Sequence, residues 1–257
     1  TGAENSAFGS GALVNNTTGS NNVGLGRYAL ALNTTASNNT AVGYQAAYSN
    51  TTGADNTAMG TAAMYPNTTG NYNAAFGSAS LRQNTTGSNN TALGQSALNQ
   101  NTTAPRNSAV WYQSLYANTT GDNNTAIGEG SGKSNTTGHN NSFLGQDAGE
   151  ANTTGQYNVA VGSDALQANT TANNSTAVGF QALYSMTGSG TTASNTAVGY
   201  YAGRGATTGY NNVYLGQNSG YYGTAHTTGL GSTYLGAYAG ASAAAATSEL
   251  VVAAGGI

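Results

Sequence analysis

Residues 67–83 read NTTGNYNAAFGSASLRQ and residues 84–100 read NTTGSNNTALGQSALNQ, which are two consecutive copies of one 17-residue unit. A glycine that follows an apolar residue marks this unit along the chain, and Trp111 replaces it once. The marker recurs at steps of 17 residues at Gly9, Gly26, Gly43, Gly60, Gly77, Gly94, Gly128, Gly145, Gly162 and Gly179. The next three steps are 20, 17 and 20 residues, to Gly199, Gly216 and Gly236. A tandem repeat of this kind determines the fold class.

The composition of the unit indicates short strands and turns. Gly, Asn and Thr form helices poorly, and Asn and Gly are typical turn residues. A 17-residue unit buries little by itself, so such units are stable only when they stack on one another. We therefore predict an all-β protein, a parallel β-solenoid or β-roll of about fourteen repeats, most of 17 residues and some of 20. Residues 1–245 form its single repeat domain, and residues 246–257 form a terminal strand and tail. With strands roughly 4.8 Å apart, the stack is on the order of 60 Å long.

Two apolar columns are the candidates for the core. The residue before each marker glycine is apolar, and a second apolar position lies four residues after the glycine, behind an Ala or Ser. We predict that the first column points inward: Phe8, Leu25, Val42, Met59, Phe76, Leu93, Val110, Ile127, Leu144, Val161 and Val178. The second column comprises Leu13, Leu30, Ala47, Met64, Leu81, Leu98, Leu115, Leu166 and Leu183. An asparagine four residues before the glycine recurs in most units, and stacked copies are expected to form an amide ladder.

The overall composition agrees with a thin core. Ala, Gly, Thr and Asn number 44, 38, 38 and 34 of the 257 residues, and Leu, Ile, Val and Phe together only 32. A thick-cored enzyme domain is therefore excluded. The five Lys and Arg residues are too few for a nucleic-acid surface, and the apolar runs are too short for membrane insertion.

The strings Asn39–Gly43, Asn56–Gly60 and Asn124–Gly128 resemble the head repeats of trimeric autotransporter adhesins. The longer unit, with its Asn-Thr-Thr-Gly and Ala-Leu segments, is similar to repeats of phage tail-fibre proteins. The resemblance implies a left-handed β-roll in which three chains lie side by side. It also implies an extracellular location, on a virion tail fibre or a cell surface. The unit of 17 residues is longer than that of the adhesin heads, so its turn must differ.

Two further sets of residues are candidates for sites on the surface. The Asn-Thr-Thr strings match the acceptor sequence for N-glycosylation, although a turn motif also explains their spacing. The asparagines concerned are Asn16, Asn33, Asn50, Asn67, Asn84, Asn101, Asn118, Asn135, Asn152 and Asn169. Five tyrosines share the position five residues after the glycine, where they either bind sugars and proteins or pack on a neighbour: Tyr48, Tyr65, Tyr116, Tyr184 and Tyr221.

Catalytic, cofactor and metal sites are not expected. Residues 127–134, IGEGSGKS, resemble a phosphate-binding loop only superficially, because Ile127 occupies the position of the required first glycine. His139 and His226 are isolated in turns, and the carboxylates are scattered singly.

The sequence thus predicts a structural fibre and adhesion protein, without catalysis and without cofactors. Its partners would be copies of itself, as a homotrimer or a filament, and cell-surface glycans or a host receptor. The alternative is a self-assembling, glycosylated cell-surface filament subunit. An ice-binding protein or a polysaccharide depolymerase is less favoured, since the threonine pairs are typical of turns and no carboxylate pair is evident.

Overall fold

The computed structural model describes residues 2–187, 193–221, 223 and 225–253. In that part of the chain it is all-β, with fifteen parallel strands of three residues each and no helix. The strands are β1 Ser6–Phe8, β2 Val23–Leu25, β3 Thr40–Val42, β4 Thr57–Met59, β5 Ala74–Phe76, β6 Thr91–Leu93, β7 Ser108–Val110, β8 Thr125–Ile127, β9 Ser142–Leu144, β10 Val159–Val161, β11 Thr176–Val178, β12 Thr196–Val198, β13 Val213–Leu215, β14 Thr233–Leu235 and β15 Leu250–Val252.

The strands follow one another in chain order, and equivalent repeat positions pair in register. In the compact unit that ends at Asn124, Val42 of β3 pairs with Met59 of β4, 17 residues later. In the unit that begins at Thr125, Thr176 of β11 pairs with Thr196 of β12, so the register is kept across a 20-residue step. The prediction of a β-solenoid with about fourteen rungs of about 17 residues is confirmed, where a rung is one repeat. The first 20-residue step, from Gly179 to Gly199, includes residues 188–192, which lie outside the described residues.

The interior is thin, and each regular rung fills it with the central strand residue and the second apolar column. The strand centres Ala41, Ala58 and Ala92 are completely buried. All nine members of the second column are buried as well, from Leu13 to Leu183. Burial of these small and branched side chains supplies the apolar area that stabilises the stack.

The first apolar column does not lie in this interior, so its predicted inward orientation is wrong. None of Phe8, Leu25, Val42, Met59, Phe76, Leu93, Val110, Ile127, Leu144, Val161 and Val178 is buried in the chain. Side chains of a strand alternate between its two faces. With alanine inward at the strand centre, the residue that follows must point outward.

Two internal asparagine ladders satisfy the polar groups of the turns, and the regular amide-to-amide bonds lie in the Asn-Thr-Thr column rather than in the column for which they were predicted. In the first, Asn39 accepts a hydrogen bond at Oδ1 from the backbone N–H of Asn56, 2.9 Å away. In the second, formed by the Asn-Thr-Thr strings, Nδ2 of Asn84 donates to Oδ1 of Asn67 over 2.8 Å and to the carbonyl of Gly87 over 2.9 Å. Both ladders are buried, and such bonds are needed there because an unpaired buried polar group is costly.

The bend after the strands favours glycine at the marker position. Gly43 has φ 130°, and a Cβ there would lie 2.7 Å from the carbonyl oxygen of Gly60 in the next rung. Backbone with such a φ is strained for other residues. The second apolar column also has positive φ, for example 50° at Leu30 and 49° at Leu98, which is unusual for leucine. This left-handed step is the feature of the turn that the repeat pattern did not predict.

Candidate interaction surfaces

The outward face of the strands carries an apolar row within each of the two units. The row is formed by the third residue of the strands, which is apolar in all fifteen, whereas the first residue beside it is Ser or Thr in ten of the fifteen. Leu93 is 48% exposed and Phe8 is 77% exposed, while Met59, Ile127 and Leu144 are exposed to a lesser degree. Contiguous apolar surface that recurs on successive rungs marks an interaction site. We call this row of third strand residues the apolar face.

Trp111 adds a concave site to this face. With Phe76, Leu93, Val110 and Tyr112 it lines a groove of about 650 Å³, together with Gly94 and Gln95. Trp111 is 64% exposed and has φ 97°, although it occupies the marker position that elsewhere holds glycine. Strained residues are retained where surrounding structure or function requires them, and an exposed tryptophan is a typical binding residue.

The predicted tyrosine column, Tyr48, Tyr65, Tyr116, Tyr184 and Tyr221, is half-buried, and three of its members pack on neighbouring rings. Tyr48 and Tyr65 stack with their ring centroids 5.2 Å apart, and Tyr28 meets Tyr48 edge-on at 6.1 Å. Tyr184 and Tyr221 lie on two sides of Arg204. Arg204 was missed in the sequence, yet it stands five residues after Gly199 and so shares the phase of these two tyrosines. The position of Arg204 within the repeat unit is therefore the signal that identifies it.

The asparagines of the Asn-Thr-Thr strings are not available for modification. Asn33, Asn50, Asn67, Asn84, Asn101, Asn118, Asn135, Asn152 and Asn169 are completely buried, and Asn16 is half-buried. An N-glycan is attached through Nδ2, the atom that Asn84 uses in the ladder. Glycosylation of these nine residues is therefore incompatible with the packed structure. Acceptor asparagines that do lie exposed are Asn15, Asn38, Asn89, Asn140 and Asn174.

The threonine pairs serve the turns. The hydroxyl of Thr51 donates to the carbonyl oxygen of Thr68 in the next rung, 2.9 Å away, and the same bond recurs at Thr68 and Thr85. This use of the first threonine agrees with the interpretation of the pairs as turn residues.

A buried polar cluster involves His226, which replaces the ladder asparagine of its rung. Nε2 of His226 lies 2.8 Å from the carbonyl oxygen of Ala246, and Nδ1 lies 2.7 Å from the hydroxyl of Tyr214. Because a carbonyl only accepts, Nε2 carries a hydrogen and donates it to Ala246, while Nδ1 shares a hydrogen bond with the hydroxyl of Tyr214. Burial raises the pKa of Tyr214 far above its ordinary value, and it does the same for Tyr234.

The carboxylate of Glu249 completes this region. The hydroxyl of Tyr234 donates to Glu249 over 2.9 Å, and the backbone N–H of Ser242 donates to it over 3.1 Å. Desolvation by burial acts to raise the pKa of Glu249, but the hydrogen bonds from Tyr234 and Ser242 outweigh it, so the pKa lies below its ordinary value. These titratable groups are engaged with one another inside the fold.

Two other titratable residues, His139 and Asp147, have close neighbours of their own. His139 packs edge-on against Tyr157, with centroids 5.6 Å apart. Asp147 has a raised pKa, caused first by burial and then by the nearby charges of Glu150, Asp164 and Glu129. Within the described ranges no group of three or more His, Cys, Asp or Glu residues is arranged to hold a metal ion. The segment at 127–134 leaves β8 through turns in which Gly130 and Gly132 have positive φ, with no helix after it.

Among the described residues, no helix has the length and apolar character needed to cross a membrane. Comparison with protein-family models, curated proteins and solved structures finds no match to this chain.

Proposed function

We propose that this chain is a structural subunit of an extracellular fibre or adhesion protein, of the tail-fibre or adhesin kind, and that it assembles with copies of itself through the apolar face. It has no catalytic role in this proposal. The observation that carries it is the outward orientation of the first apolar column. A single chain leaves these side chains in water, and a second apolar surface would remove them from it.

A copy of the same chain fits this face better than an unrelated partner does. Each rung presents one apolar residue at the end of its strand, at the pitch of the parallel strands. Another solenoid of the same pitch repeats its own apolar residues at the same interval, so contacts made by one rung recur at every rung. Side-by-side chains, as the resemblance to trimeric adhesins implies, bury the column between them, and the sum of many weak contacts gives stable association.

The other parts of the structure support a non-enzymatic, adhesive role. One set of titratable residues, His226, Tyr214, Tyr234 and Glu249, is engaged in mutual contacts within the fold. The turns repeat their outward residues on successive rungs, which suits multivalent attachment to a cell-surface glycan or a host receptor.

The test is a charge placed on the apolar face. Leu93→Asp keeps the interior intact, since Leu93 points outward, but it puts a carboxylate into the proposed interface. Gln83→Asp introduces the same charge at an exposed turn position. In sedimentation velocity the unaltered chain and Gln83→Asp should form the same oligomer, while Leu93→Asp shifts to the monomer with an unchanged circular dichroism spectrum.

A monomeric unaltered chain at all concentrations would overturn the proposal. Closed trimers agree with the side-by-side arrangement. Open-ended particles that grow with concentration agree with the alternative of a filament subunit.

A further inference from the structure

Arg204 lies among three tyrosine rings on the turn side of the solenoid. Its guanidinium carbon is 4.8 Å from the ring centroid of Tyr201, 5.3 Å from that of Tyr221 and 5.4 Å from that of Tyr184. We call these four residues the arginine–tyrosine cluster. Cation–π contacts of this kind hold a guanidinium in a fixed position.

Polar contacts orient the same guanidinium but leave its charge uncompensated. Nε of Arg204 donates to Oε1 of Gln181 over 2.8 Å, and Nη1 donates to the hydroxyl of Tyr221 over 2.7 Å. Across the described residues, Nη2 has no partner and Arg204 forms no ion pair with a carboxylate. Gln181 is itself held by Asp164, to which its Nε2 donates over 3.2 Å. The cluster therefore offers a preoriented cation with N–H groups still free to donate.

An exposed aromatic surface adjoins this cation. Phe180 and Tyr200 stack with their centroids 5.6 Å apart and their planes at 19°, and Tyr200 contacts Tyr201 with centroids 4.0 Å apart. Tyr200 is 46% exposed and Phe180 is exposed as well. We call Phe180 and Tyr200 the aromatic platform. Through Tyr201 it adjoins the positive charge of Arg204.

This combination selects one class of ligand. A cationic ligand is disfavoured because Arg204 already occupies the space between the three rings. A nucleic acid is disfavoured because polyphosphate binding depends on many cations, and the chain has five Lys and Arg residues and a net charge of −3. The C–H groups of a sugar ring pack on an aromatic face, and a carboxylate forms paired hydrogen bonds with a guanidinium.

We infer that the arginine–tyrosine cluster and the aromatic platform bind an acidic sugar of the uronic acid type, with the ring on Phe180 and Tyr200 and the carboxylate on Arg204. This inference rests on the proposed adhesive function, for which it supplies a ligand class. It concerns a surface other than the apolar face, so it can be tested separately.

The experiment measures the binding of tetragalacturonate by saturation-transfer NMR and titration. Its fully methyl-esterified form has the same rings without the negative charge. Arg204→Met removes the cation, and Arg27→Met is the matched control because it changes the net charge equally. Arg27 lies 4.8 Å from one ring, that of Tyr28, and so lacks the three-ring arrangement. Tyr200→Ala removes half of the aromatic platform, and Tyr72→Ala is its control at an exposed position.

Tetragalacturonate should bind the unaltered chain saturably, and Arg204→Met should weaken this binding at least about tenfold, as expected for a charge-assisted hydrogen bond. The methyl ester should bind the unaltered chain as weakly as the acid binds Arg204→Met. Tyr200→Ala should weaken the binding of both sugars, and Arg27→Met and Tyr72→Ala should change neither. Circular dichroism of each variant verifies the fold, and Tyr200→Ala remains informative if Arg204→Met does not fold.

Three outcomes would overturn the inference: no saturable binding, equal binding of the ester, or equal loss in Arg27→Met and Arg204→Met. Sedimentation of the same samples separates the two proposals. An oligomer that binds no acidic sugar contradicts this inference alone, and a monomer that binds it contradicts self-assembly alone.

Discussion

The ring of Phe143 occupies the space in which a regular rung places a leucine, and Gly149 stands at that leucine position. A Cβ on Gly149 would lie 2.5 Å from Cε1 of Phe143. Regular rungs have alanine at the strand centre and leucine four residues after the marker glycine, whereas this rung has phenylalanine and glycine. In this rung the large side chain is at the strand centre and the small residue follows the marker glycine, the reverse of a regular rung. The total side-chain volume of the interior is thereby kept, and cores tolerate volume-conserving changes best.

This complementarity predicts a strong coupling between the two positions. Gly149→Leu alone should destabilise the fold by about 3 kcal/mol through overpacking, and Phe143→Ala alone by about 3–5 kcal/mol through a cavity. The double variant restores the regular Ala–Leu pair and should lie within about 1–2 kcal/mol of the unaltered chain. Urea unfolding of the four proteins measures the coupling. Additive losses would show that Phe143 and Gly149 do not share one space.

The buried ladder predicts a large penalty for losing one amide. Asn84→Ala removes the bonds to Asn67 and Gly87, and it takes from Nδ2 of Asn101 one of its two acceptors. Buried unpaired groups cost about 1–3 kcal/mol each, so we expect a loss of about 2–5 kcal/mol. Gln83→Ala, at an exposed neighbouring position, should change stability by less than about 0.5 kcal/mol. Equal melting of both variants would mean that water replaces the ladder bonds.

The fold was predictable from sequence because stacking in register converts spacing directly into contact. Seventeen-residue steps place Val42 beside Met59, and no other information is needed for the strand order. The side on which a column lies was harder to predict, since both apolar columns have similar residues. The small residue at the strand centre, such as Ala41, was the informative one, because it marks the thin interior and sends its neighbours outward.

The interaction surfaces were only partly predictable, for a related reason. Phase alone places Arg204 between Tyr184 and Tyr221, so that contact follows from the repeat. The contacts of Phe180 with Tyr200 and of Tyr200 with Tyr201 depend on side-chain conformations, which repeat spacing does not determine. The compensation of Phe143 by Gly149 likewise depends on three-dimensional volume rather than on any local motif.

The positive φ of Trp111 predicts a stabilising substitution. Trp111→Gly restores the marker glycine and relieves a strain of about 1–3 kcal/mol, less the greater chain entropy of glycine. We expect a net gain of about 1 kcal/mol in the free energy of unfolding, measured in urea at matched protein concentration. Trp111→Ala keeps a Cβ and should give no gain. If Trp111 contributes to the interface between copies, Trp111→Gly will also weaken the oligomer, which sedimentation of the same samples will show.

The buried hydroxyl of Tyr214 predicts a loss of stability in alkali. Burial raises its folded-state pKa well above the ordinary value of 10.0, so the neutral form is favoured in the fold. The contribution of this neutral hydroxyl to the free energy of unfolding is complete below pH 10. It is lost as the pH rises above 10, because the Tyr214 hydroxyl ionises in the unfolded chain but stays neutral in the folded chain. The slope is about 1.4 kcal/mol per pH unit for one such group.

Tyr214→Phe should be less stable at pH 8, because His226 loses its hydrogen bond, but its stability should fall less steeply between pH 10 and pH 11.5. Tyr72→Phe, at an exposed tyrosine, should keep the slope of the unaltered chain. Urea unfolding across this pH range, followed by circular dichroism and tyrosinate absorbance, measures the three slopes, and an unchanged slope in Tyr214→Phe would contradict the assignment of the effect to this buried hydroxyl.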